Sequence, residues 1–311
     1  MSKVVLVTGF LGSGKTTLLK RILSEYSSNH SIAVLQNEFA DASTDSTELK
    51  MGNWQFELVE INKGSIFCIC RFDNFREELS RLVAEKAPQL ILIEASGLAD
   101  PIAVGVLLNN SDSFYLSHVI TVIDPFMFLR MSGYIRSINN QVKVADTILI
   151  NKADRTSEEE LEAVKEGINR INPAARVLLT SYGEITDGSG FSFNSILFGD
   201  ETAVRDNDAR FTAKVAQGEN AREHLHSPFE NIHSNVFRTS VPIDYDALVK
   251  FCKGLPESVI RVKGFVRCSN GKCYLLQYMS GEGDALLTEC NTVSKTELIA
   301  IGTSVSDLRF W

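Results

Sequence analysis

The segment that most constrains the fold is GFLGSGKT, residues 9–16, which matches the pattern G-x-x-x-x-G-K-[ST] without a gap. An apolar run at 4–7 precedes it, and a helical pattern with one apolar stripe follows at 15–26. A strand, a glycine-rich loop and a helix in this order form the context in which the pattern wraps around phosphate groups. The chain is therefore predicted to begin as an α/β domain.

The chemistry of this loop indicates a phosphate-bearing ligand. Its glycines allow the backbone to curl so that several N–H groups point inward, and the amino end of the next helix adds a partial positive charge. Lys15 can reach the β- and γ-phosphates of a nucleotide, and the hydroxyl of Thr16 can bind Mg²⁺. The residues predicted to bind the nucleotide here are Gly9, Gly12, Ser13, Gly14, Lys15, Thr16 and Thr17.

Short apolar runs alternate with helical patterns through the first two-thirds of the chain. Continuous runs of this kind fit strands that are buried on both faces, and their alternation with helices predicts a parallel sheet covered by helices. The predicted fold class is α/β: a P-loop NTPase with a mostly parallel sheet and helices on both faces, plus a smaller C-terminal α+β domain. The runs that predict strands lie at 4–7, 32–35, 90–93, 119–123, 147–150 and 177–179.

A polar stretch divides the chain. Residues 199–231 hold no long apolar run, which predicts a connector. Beyond it, several apolar segments and a helical pattern near 245–253 predict a small α+β domain. The predicted organisation is a P-loop domain at 1–198, the connector at 199–231, and the second domain at 232–311.

The charge balance excludes some classes of partner. The net charge of −8 disfavours nucleic acid, whose phosphates require a basic face, and it disfavours an anionic membrane surface. No apolar run has the length to cross a bilayer, and the run at 4–7 leads into the glycine loop rather than into a signal-peptide pattern. We therefore expect a cytoplasmic protein whose six cysteines are thiols, core residues or ligands rather than disulfides.

The segment LINKAD, residues 149–154, bears on the choice of base. A carboxylate such as that of Asp154 accepts two hydrogen bonds side by side, and guanine offers two adjacent donors. Adenine presents an acceptor at N1, which would leave the carboxylate unpaired. Because Asn151, Lys152 and Asp154 follow a buried strand downstream of the phosphate loop, they resemble the guanine-reading motif of P-loop GTPases and predict GTP as the nucleotide.

The third segment is LILIEASGLADP, residues 90–101, in which a predicted strand ends at Glu94. A carboxylate at this position can hold the Mg²⁺ shell, directly or through water, or it can orient the attacking water. Gly97 can offer its backbone N–H to the γ-phosphate. The predicted catalytic residues are therefore Lys15, Glu94 and Gly97.

Together these motifs resemble a CobW-type GTPase, from the class of P-loop GTPases that includes the nickel-enzyme maturation proteins. The resemblance covers nearly the whole chain. It implies slow, Mg²⁺-dependent GTP hydrolysis that is coupled to the delivery or insertion of a metal, Zn²⁺ or Co²⁺, into a client protein. It rests on the segments GFLGSGKTTLL, QNEFADASTD, EINKGSIFCIC, IEASGLADP, VIDP, ADTILINKAD and VIRVKGFV.

The resemblance also assigns a role to QNEFADAS, as the loop that senses the γ-phosphate. Glu38 and Asp41 in this loop are expected to contact Mg²⁺, a transferred metal, or both. At Mg²⁺, Glu38 would join Thr16 and Glu94. Family members usually have glycine where this chain has Ala40, which leaves the role of the loop open.

The chain departs from the family at KGSIFCIC. The family pattern G-C-x-C-C would place thiols at Ser65, Phe67 and Cys68, so only Cys68 matches and Cys70 is additional. In an extended segment the two cysteines face the same way, which permits a Zn²⁺ or Co²⁺ site of Cys68 and Cys70 with further ligands from Asp41, Glu38 or a histidine. It equally permits both thiols to pack in an apolar core, and both interpretations stay open.

The expected partners are a guanine nucleotide, a client metalloprotein or cofactor-dependent enzyme, and a second copy of the chain in a nucleotide-dependent homodimer. Nucleic acid and membranes are not expected partners. One alternative function is a GTP-driven chaperone that loads or reactivates a cofactor-dependent enzyme, such as a corrinoid enzyme, without carrying free metal. Another is a P-loop small-molecule kinase, which would normally prefer ATP.

Overall fold

The structure is a computed structural model of the 311-residue chain. Its described residues form two units, one before residue 200 and one after residue 232. The predicted connector at 199–231 lies almost wholly outside the described residues, so its boundaries stay a prediction. The structure describes residues 1–37, 56–61, 72–97, 101, 104, 108, 111–133, 135–186, 188–199, 233–256, 258–280, 284–290, 293–302, 305 and 308.

The first unit is built on a sheet of eight described strands. Numbered along the chain, they are β1 (Ser2–Thr8), β2 (Ile32–Asn37), β3 (Glu57–Ile61), β4 (Leu90–Glu94), β5 (Phe114–Ile123), β6 (Thr147–Ile150), β7 (Arg176–Ser181) and β8 (Glu184–Ile185). Their order across the sheet is β3-β2-β4-β1-β5-β6-β7-β8. Every neighbouring pair is parallel except β7 and β8, which form an antiparallel edge.

Helices cover this sheet on both faces, as the sequence predicts. Val5 and Val7 of β1 pack in the same core cluster as Leu18, whereas Val4 and Leu6 pack in a second cluster with helical side chains from elsewhere in the unit. Strands buried on both faces explain the continuous apolar runs. The described helices are α1 (Lys15–Tyr26), α2 (Phe72–Lys86), α3 (Pro125–Met131), α4 (Arg136–Val144), α5 (Glu158–Ile171) and α6 (Phe193–Phe198).

Local sequence signals set the starts of several helices. The side chain of Asp124 caps α3 by accepting a hydrogen bond from the N–H of Met127 at 3.2 Å. Ser157 caps α5 and forms a reciprocal capping box with Glu160. Such caps satisfy N–H groups that have no partner within the helix.

The path of the chain through the sheet sets the place of the site. From β1 the chain runs to β2 and β3 on one side of the sheet, returns to β4 next to β1, and then continues to β5 on the other side. Ligands of parallel α/β sheets bind outside the carboxyl ends of the strands, where the chain changes direction in this way. The ends of β1, β4, β5 and β6 are therefore brought to one edge.

The second unit is an antiparallel sheet of five described strands in the order β12-β11-β10-β13-β9. Its helix, α7 (Tyr245–Lys253), is capped by Asp244 and contributes Leu248 to the core. The strands are β9 (His233–Thr239), β10 (Val259–Arg267), β11 (Cys273–Met279), β12 (Leu286–Cys290) and β13 (Thr296–Gly302).

The predicted fold class is confirmed: a mostly parallel, helix-covered sheet and a separate, smaller domain with an antiparallel sheet. All six predicted strands of the first unit are present as β1, β2, β4, β5, β6 and β7. The sequence did not predict β3, β8 or β12. Among the helices of the described ranges, none has the length and hydropathy that crossing a membrane would take.

We predict that Gly264→Ala destabilises the second unit. Gly264 lies in β10, and a Cβ there would be 2.0 Å from the carbonyl oxygen of Glu297 on β13. Because backbone cannot move aside cheaply, the free energy of unfolding from urea titrations should fall by about 2–3 kcal/mol. The control is Gly271→Ala, which has a φ of +81° but nothing within 4 Å, and should cost only about 1 kcal/mol. Equal losses for the two variants would contradict this account.

Candidate nucleotide-binding site

Four segments lie at the carboxyl edge of the first sheet. The loop at 9–14 follows β1, and Glu94 is the last residue of β4. The segment at 151–154 follows β6, and the fourth segment, 180–183, consists of the last two residues of β7 and the turn that joins β7 to β8. Hydrogen bonds between these segments join residues that are far apart in the sequence.

Gly14 is where the phosphate loop enters α1. Its φ is +105°, in the left-handed region, and it occupies the N-cap position of the helix. A Cβ at this position would lie 2.2 Å from Nδ2 of Asn151. Any other residue would be strained and would displace Asn151, so the loop needs glycine here for conformation and for close approach.

Two buried hydroxyls in and next to the loop suit a phosphate ligand. Ser13 and Thr8 are both fully buried. Neither Oγ of Ser13 nor Oγ1 of Thr8 has a hydrogen-bond partner within the described residues. Because buried hydroxyls in folded proteins are nearly always hydrogen-bonded, these two groups fit a ligand that is rich in acceptors.

Lys15 is the first residue of α1 and is only 7% exposed. Its Nζ donates to the carbonyl oxygens of Gly9 at 2.9 Å and Phe10 at 3.2 Å. Neutral carbonyl groups compensate a buried ammonium less well than a charged phosphate does. The lysine is thus held inside the loop in a position compatible with its predicted contact to phosphate.

Thr16 and Glu94 meet where the predicted Mg²⁺ site lies. Glu94 is 5% exposed, and its Oε1 accepts a hydrogen bond from the hydroxyl of Thr16 at 3.0 Å. Donation through the hydrogen leaves the lone pairs of the hydroxyl oxygen available to a cation. Hydroxyl and carboxylate oxygens are ligands that suit Mg²⁺, so the residues present fit this ion. The other carboxylate oxygen, Oε2, accepts from Nε2 of Gln36 at 2.6 Å.

Gly97 lies against the phosphate loop. A Cβ at this position would be 2.6 Å from the backbone nitrogen of Leu11. Nε2 of Gln141, a fully buried residue of α4, donates to the carbonyl oxygen of Gly97 at 3.2 Å. The segment after β4 is therefore held close to the loop, in keeping with the predicted contact of the Gly97 N–H to a γ-phosphate.

Asn151 joins three segments through its side-chain amide. It is 3% exposed, and its Nδ2 donates to the carbonyl oxygen of Ser13 at 2.9 Å. Its Oδ1 accepts from the hydroxyl of Thr180 at 3.1 Å and from the N–H of Gly183 at 3.3 Å. The residue predicted to read the base thus also fixes the phosphate loop relative to the β7–β8 turn.

Lys152 is held in a left-handed conformation with a φ of +60°. Its Nζ forms a salt bridge of 2.6 Å with Oδ2 of Asp124, whose side chain is 4% exposed. The same carboxylate caps α3 through its other oxygen. Asp124 is thus both a helix cap and an ion-pair partner. It holds the 151–154 segment against the end of β5.

Asp154 is the middle residue of a short 3₁₀ turn (Ala153–Arg155) and is solvent-exposed. Its Oδ1 accepts a hydrogen bond from the hydroxyl of Ser181 at 2.5 Å. Next to Ser181, Tyr182 has a φ of +50° and is 75% exposed. The turn therefore orients the carboxylate while leaving it open to a ligand, since a carboxylate has further lone pairs to offer.

The predicted site is thus supported by residues that the sequence analysis did not select. These residues are Gln36, Asp124, Gln141, Thr180, Ser181 and Gly183. Gln141 contacts the site from α4. The other five residues lie at or just beyond the ends of strands, where a polar or glycine residue that closes an apolar run was their signal in the sequence.

Several predicted residues lie outside the described ranges, namely Glu38, Asp41, Cys68 and Cys70. Thr17 is described and is exposed on α1. The cysteines described in the second unit, Cys252, Cys268, Cys273 and Cys290, are free thiols. Within the described part of the chain, no cluster of three or more His, Cys, Asp or Glu residues is arranged to hold a metal ion.

Comparison with known proteins gives relatives that align with much of the chain. The "Zinc-regulated GTPase metalloprotein activator 1" of Dictyostelium discoideum is 32% identical over 216 residues, which are 56% of this chain and 45% of that protein. The "Zinc chaperone YjiA" of Escherichia coli is 29% identical over 279 residues, 85% of this chain and 81% of that protein. The match thus spans less than half the length of the first relative and about four-fifths of the second.

Among solved structures, the Zn(II)-bound YjiA GTPase from E. coli aligns with 98% of this chain and 95% of its own, at 20% identity and a TM-score of 0.45. At that level of superposition the likeness adds nothing to the fold described above. Two family models match the chain: "CobW/HypB/UreG, nucleotide-binding domain" covers residues 3–179, and "Cobalamin synthesis protein cobW C-terminal domain" covers residues 232–309. The resemblance predicted from the motifs is confirmed, and the chain belongs to the CobW/HypB/UreG family.

Proposed function

We propose that this chain binds GTP, hydrolyses it slowly with Mg²⁺, and couples this cycle to the delivery or insertion of a metal ion into a client protein. The observation that carries the proposal is the 2.9 Å hydrogen bond from Nδ2 of Asn151 to the carbonyl oxygen of Ser13. It ties the segment that would read the base to the loop that would hold the phosphates. A single nucleotide can then contact both.

Guanine is the base that this site suits. Asp154 would accept hydrogen bonds from N1–H and the 2-amino group, while the hydroxyl of Ser181 orients its carboxylate. The salt bridge to Asp124 fixes Lys152 beside it. A base with an acceptor at N1 would leave the Asp154 carboxylate unpaired, which disfavours ATP.

At the phosphate end, Lys15, the loop N–H groups and the Ser13 hydroxyl would bind the β- and γ-phosphates. Thr16 would hold Mg²⁺ directly, and Glu94 would hold it directly or through water. When bound, Mg²⁺ neutralises charge on the β- and γ-phosphates. The Gly97 N–H would contact the γ-phosphate. These groups supply positioning and charge, so a slow intrinsic rate that a partner accelerates is part of the proposal.

Metal delivery is supported by the relatives. One relative is named a zinc chaperone, and the other is named a zinc-regulated GTPase metalloprotein activator. For this chain we propose Zn²⁺, with Co²⁺ as the second choice, as cargo held by Cys68, Cys70 and Asp41. A client metalloprotein, a nucleotide-dependent homodimer and a cytoplasmic location complete the proposal.

One prediction from the proposed function concerns the choice between GTP and ATP. The wild-type protein should bind GTP more tightly than ATP and release phosphate without any acceptor substrate, which a small-molecule kinase would not do. In Asp154→Asn, one acceptor becomes an NH₂ donor that faces a guanine donor and the remaining hydrogen bond loses its charge, so GTP affinity should fall by about 100-fold or more. Xanthosine triphosphate, with an acceptor at position 2, should bind this variant better than it binds the wild type.

These affinities can be measured by titration calorimetry. The matched control is Asp112→Asn, another exposed aspartate, which lies just before the start of β5 at the opposite edge of the sheet. It should bind GTP like the wild type. Equal affinities of the wild type for GTP and ATP would refute the assignment of guanine.

The second prediction links the metal to the nucleotide. In competition titrations, Zn²⁺ affinity should change when a non-hydrolysable GTP analogue is added. The double variant Cys68→Ser/Cys70→Ser should bind Zn²⁺ at least about tenfold more weakly, because soft thiolate ligands are replaced by hydroxyls.

The control is Cys252→Ser/Cys290→Ser in the second unit. Burial raises the pKa of the Cys252 thiol to about 11, and burial, together with the neighbouring Cys273, raises the pKa of the Cys290 thiol. Because Zn²⁺ binds the thiolate, these thiols should contribute little at neutral pH. Tight Zn²⁺ binding whose affinity changes neither with the nucleotide nor with the Cys68→Ser/Cys70→Ser substitutions would show that the cargo is held elsewhere. No Zn²⁺ binding in any state would favour a client chaperone that carries no free metal.

A further inference from the structure

Gln36 contacts the predicted Mg²⁺ site from strand β2. It is the second-last residue of β2 and is paired in register with Glu94 on the neighbouring strand β4. Its side chain is buried, with the residue 4% exposed, and Nε2 donates to Oε2 of Glu94 at 2.6 Å. This contact is short and charge-assisted, which makes it a strong one.

The orientation of the Gln36 amide follows from its partner. An ionised carboxylate only accepts hydrogen bonds, so the amide nitrogen, and not the amide oxygen, must face Glu94. The oxygen, Oε1, then points away from the carboxylate. It is buried and has no hydrogen-bond partner within the described residues. A buried acceptor left in this way, next to a charged site, indicates a missing donor.

The groups around the Glu94 carboxylate indicate what kind of donor Oε1 of Gln36 would face. Glu94 receives the Thr16 hydroxyl on Oε1 and the Gln36 amide on Oε2, so β2, β4 and α1 converge on one carboxylate. A protein-bound Mg²⁺ usually keeps several of its waters, and the hydrogens of these waters need acceptors. A carboxylate and an amide oxygen side by side form such a pair of acceptors.

We propose that Gln36 is a magnesium-positioning residue, which holds the Glu94 carboxylate with its NH₂ group and accepts a hydrogen bond from a Mg²⁺-bound water with its Oε1. This inference rests on the proposed function, because it requires a guanine nucleotide and Mg²⁺ at the site. Gln36 contacts the carboxylate and the water, and it acts on the nucleotide only through them.

The test uses Gln36→Leu, which keeps the approximate size of the side chain but removes both the donor and the acceptor. The measurement is the affinity of a fluorescent GDP analogue at Mg²⁺ concentrations from micromolar to millimolar, with a parallel series in excess EDTA. The Mg²⁺ concentration that gives half of the Mg²⁺-dependent gain in affinity should rise about 10- to 100-fold, the usual effect of losing an outer-shell partner. In EDTA the variant should bind the analogue like the wild type.

The matched control is Gln89→Leu. Gln89 also accepts a hydrogen bond, from the N–H of Ser31 at 3.3 Å, but it is exposed and precedes β4 at the opposite edge of the same sheet. It should leave the Mg²⁺ dependence unchanged. A Gln36→Leu variant that loses affinity equally with and without Mg²⁺, or that has the Mg²⁺ dependence of the wild type, would overturn the proposal.

A second variant covers the case in which Gln36→Leu does not fold. Gln36→Glu keeps an acceptor but places a second carboxylate within hydrogen-bond distance of Glu94, and like charges at this distance repel. A cation between them relieves the repulsion, so Mg²⁺ should raise the melting temperature of this variant, with GDP bound, by more than it raises that of the wild type. An equal or smaller Mg²⁺ effect would overturn the proposal.

A wild type that binds no guanine nucleotide would refute the proposed function itself, and this inference with it.

Discussion

The side-chain amide of Asn151 is the interaction on which the geometry of the site depends. It is buried and uses both of its ends: Nδ2 donates to the Ser13 carbonyl in the phosphate loop, and Oδ1 accepts from Thr180 near the end of β7 and from Gly183 in the β7–β8 turn. Removing it would leave buried polar groups on two segments without partners, at about 1–3 kcal/mol each. Because β1, β6 and β7 come from distant parts of the sequence, this amide converts three separate strand ends into one surface with a fixed spacing.

Charge is concentrated at this surface and is compensated locally. Lys15, Glu94 and Asp124 are each 4–7% exposed, and each has a described polar partner. Burying an unpaired ion is costly, so such groups persist only where the surrounding structure satisfies them. Fixed charges and dipoles that need not reorganise can stabilise a phosphoryl-transfer transition state efficiently. Within the described residues, the hydroxyls of Ser13 and Thr8 are buried without a hydrogen-bond partner, and these are groups at this surface that a phosphate ligand would satisfy.

Most of the fold, and the segments that meet at the candidate site, could be predicted from the sequence, because short local patterns identify them. The apolar runs, the glycine loop and Asn151, Lys152 and Asp154 are short segments whose chemistry does not depend on the order of the strands. Gln36 could not be selected in this way, because its role arises only when β2 lies beside β4. Asp124 and Ser181 likewise gain their partners from the pairing of β5 with β6 and of β6 with β7. The short or partly polar strands β3, β8 and β12 were missed because their apolar patterns are too weak to stand out alone.

The residues proposed to act on Mg²⁺ and on Zn²⁺ lie close together along the chain, which would couple the binding of the two ions. In the sequence Asp41 follows Gln36 by five residues, so the residue proposed to position Mg²⁺ and one of the ligands proposed for Zn²⁺ belong to one short segment. If nucleotide binding changes Zn²⁺ affinity tenfold, then Zn²⁺ must change nucleotide affinity tenfold as well, because the coupling free energy of about 1.4 kcal/mol is shared by both equilibria. A carrier that releases its metal on hydrolysis must therefore also let the metal change how tightly it holds GTP. The effect of the nucleotide on Zn²⁺ affinity and the effect of Zn²⁺ on nucleotide affinity then measure the same coupling free energy.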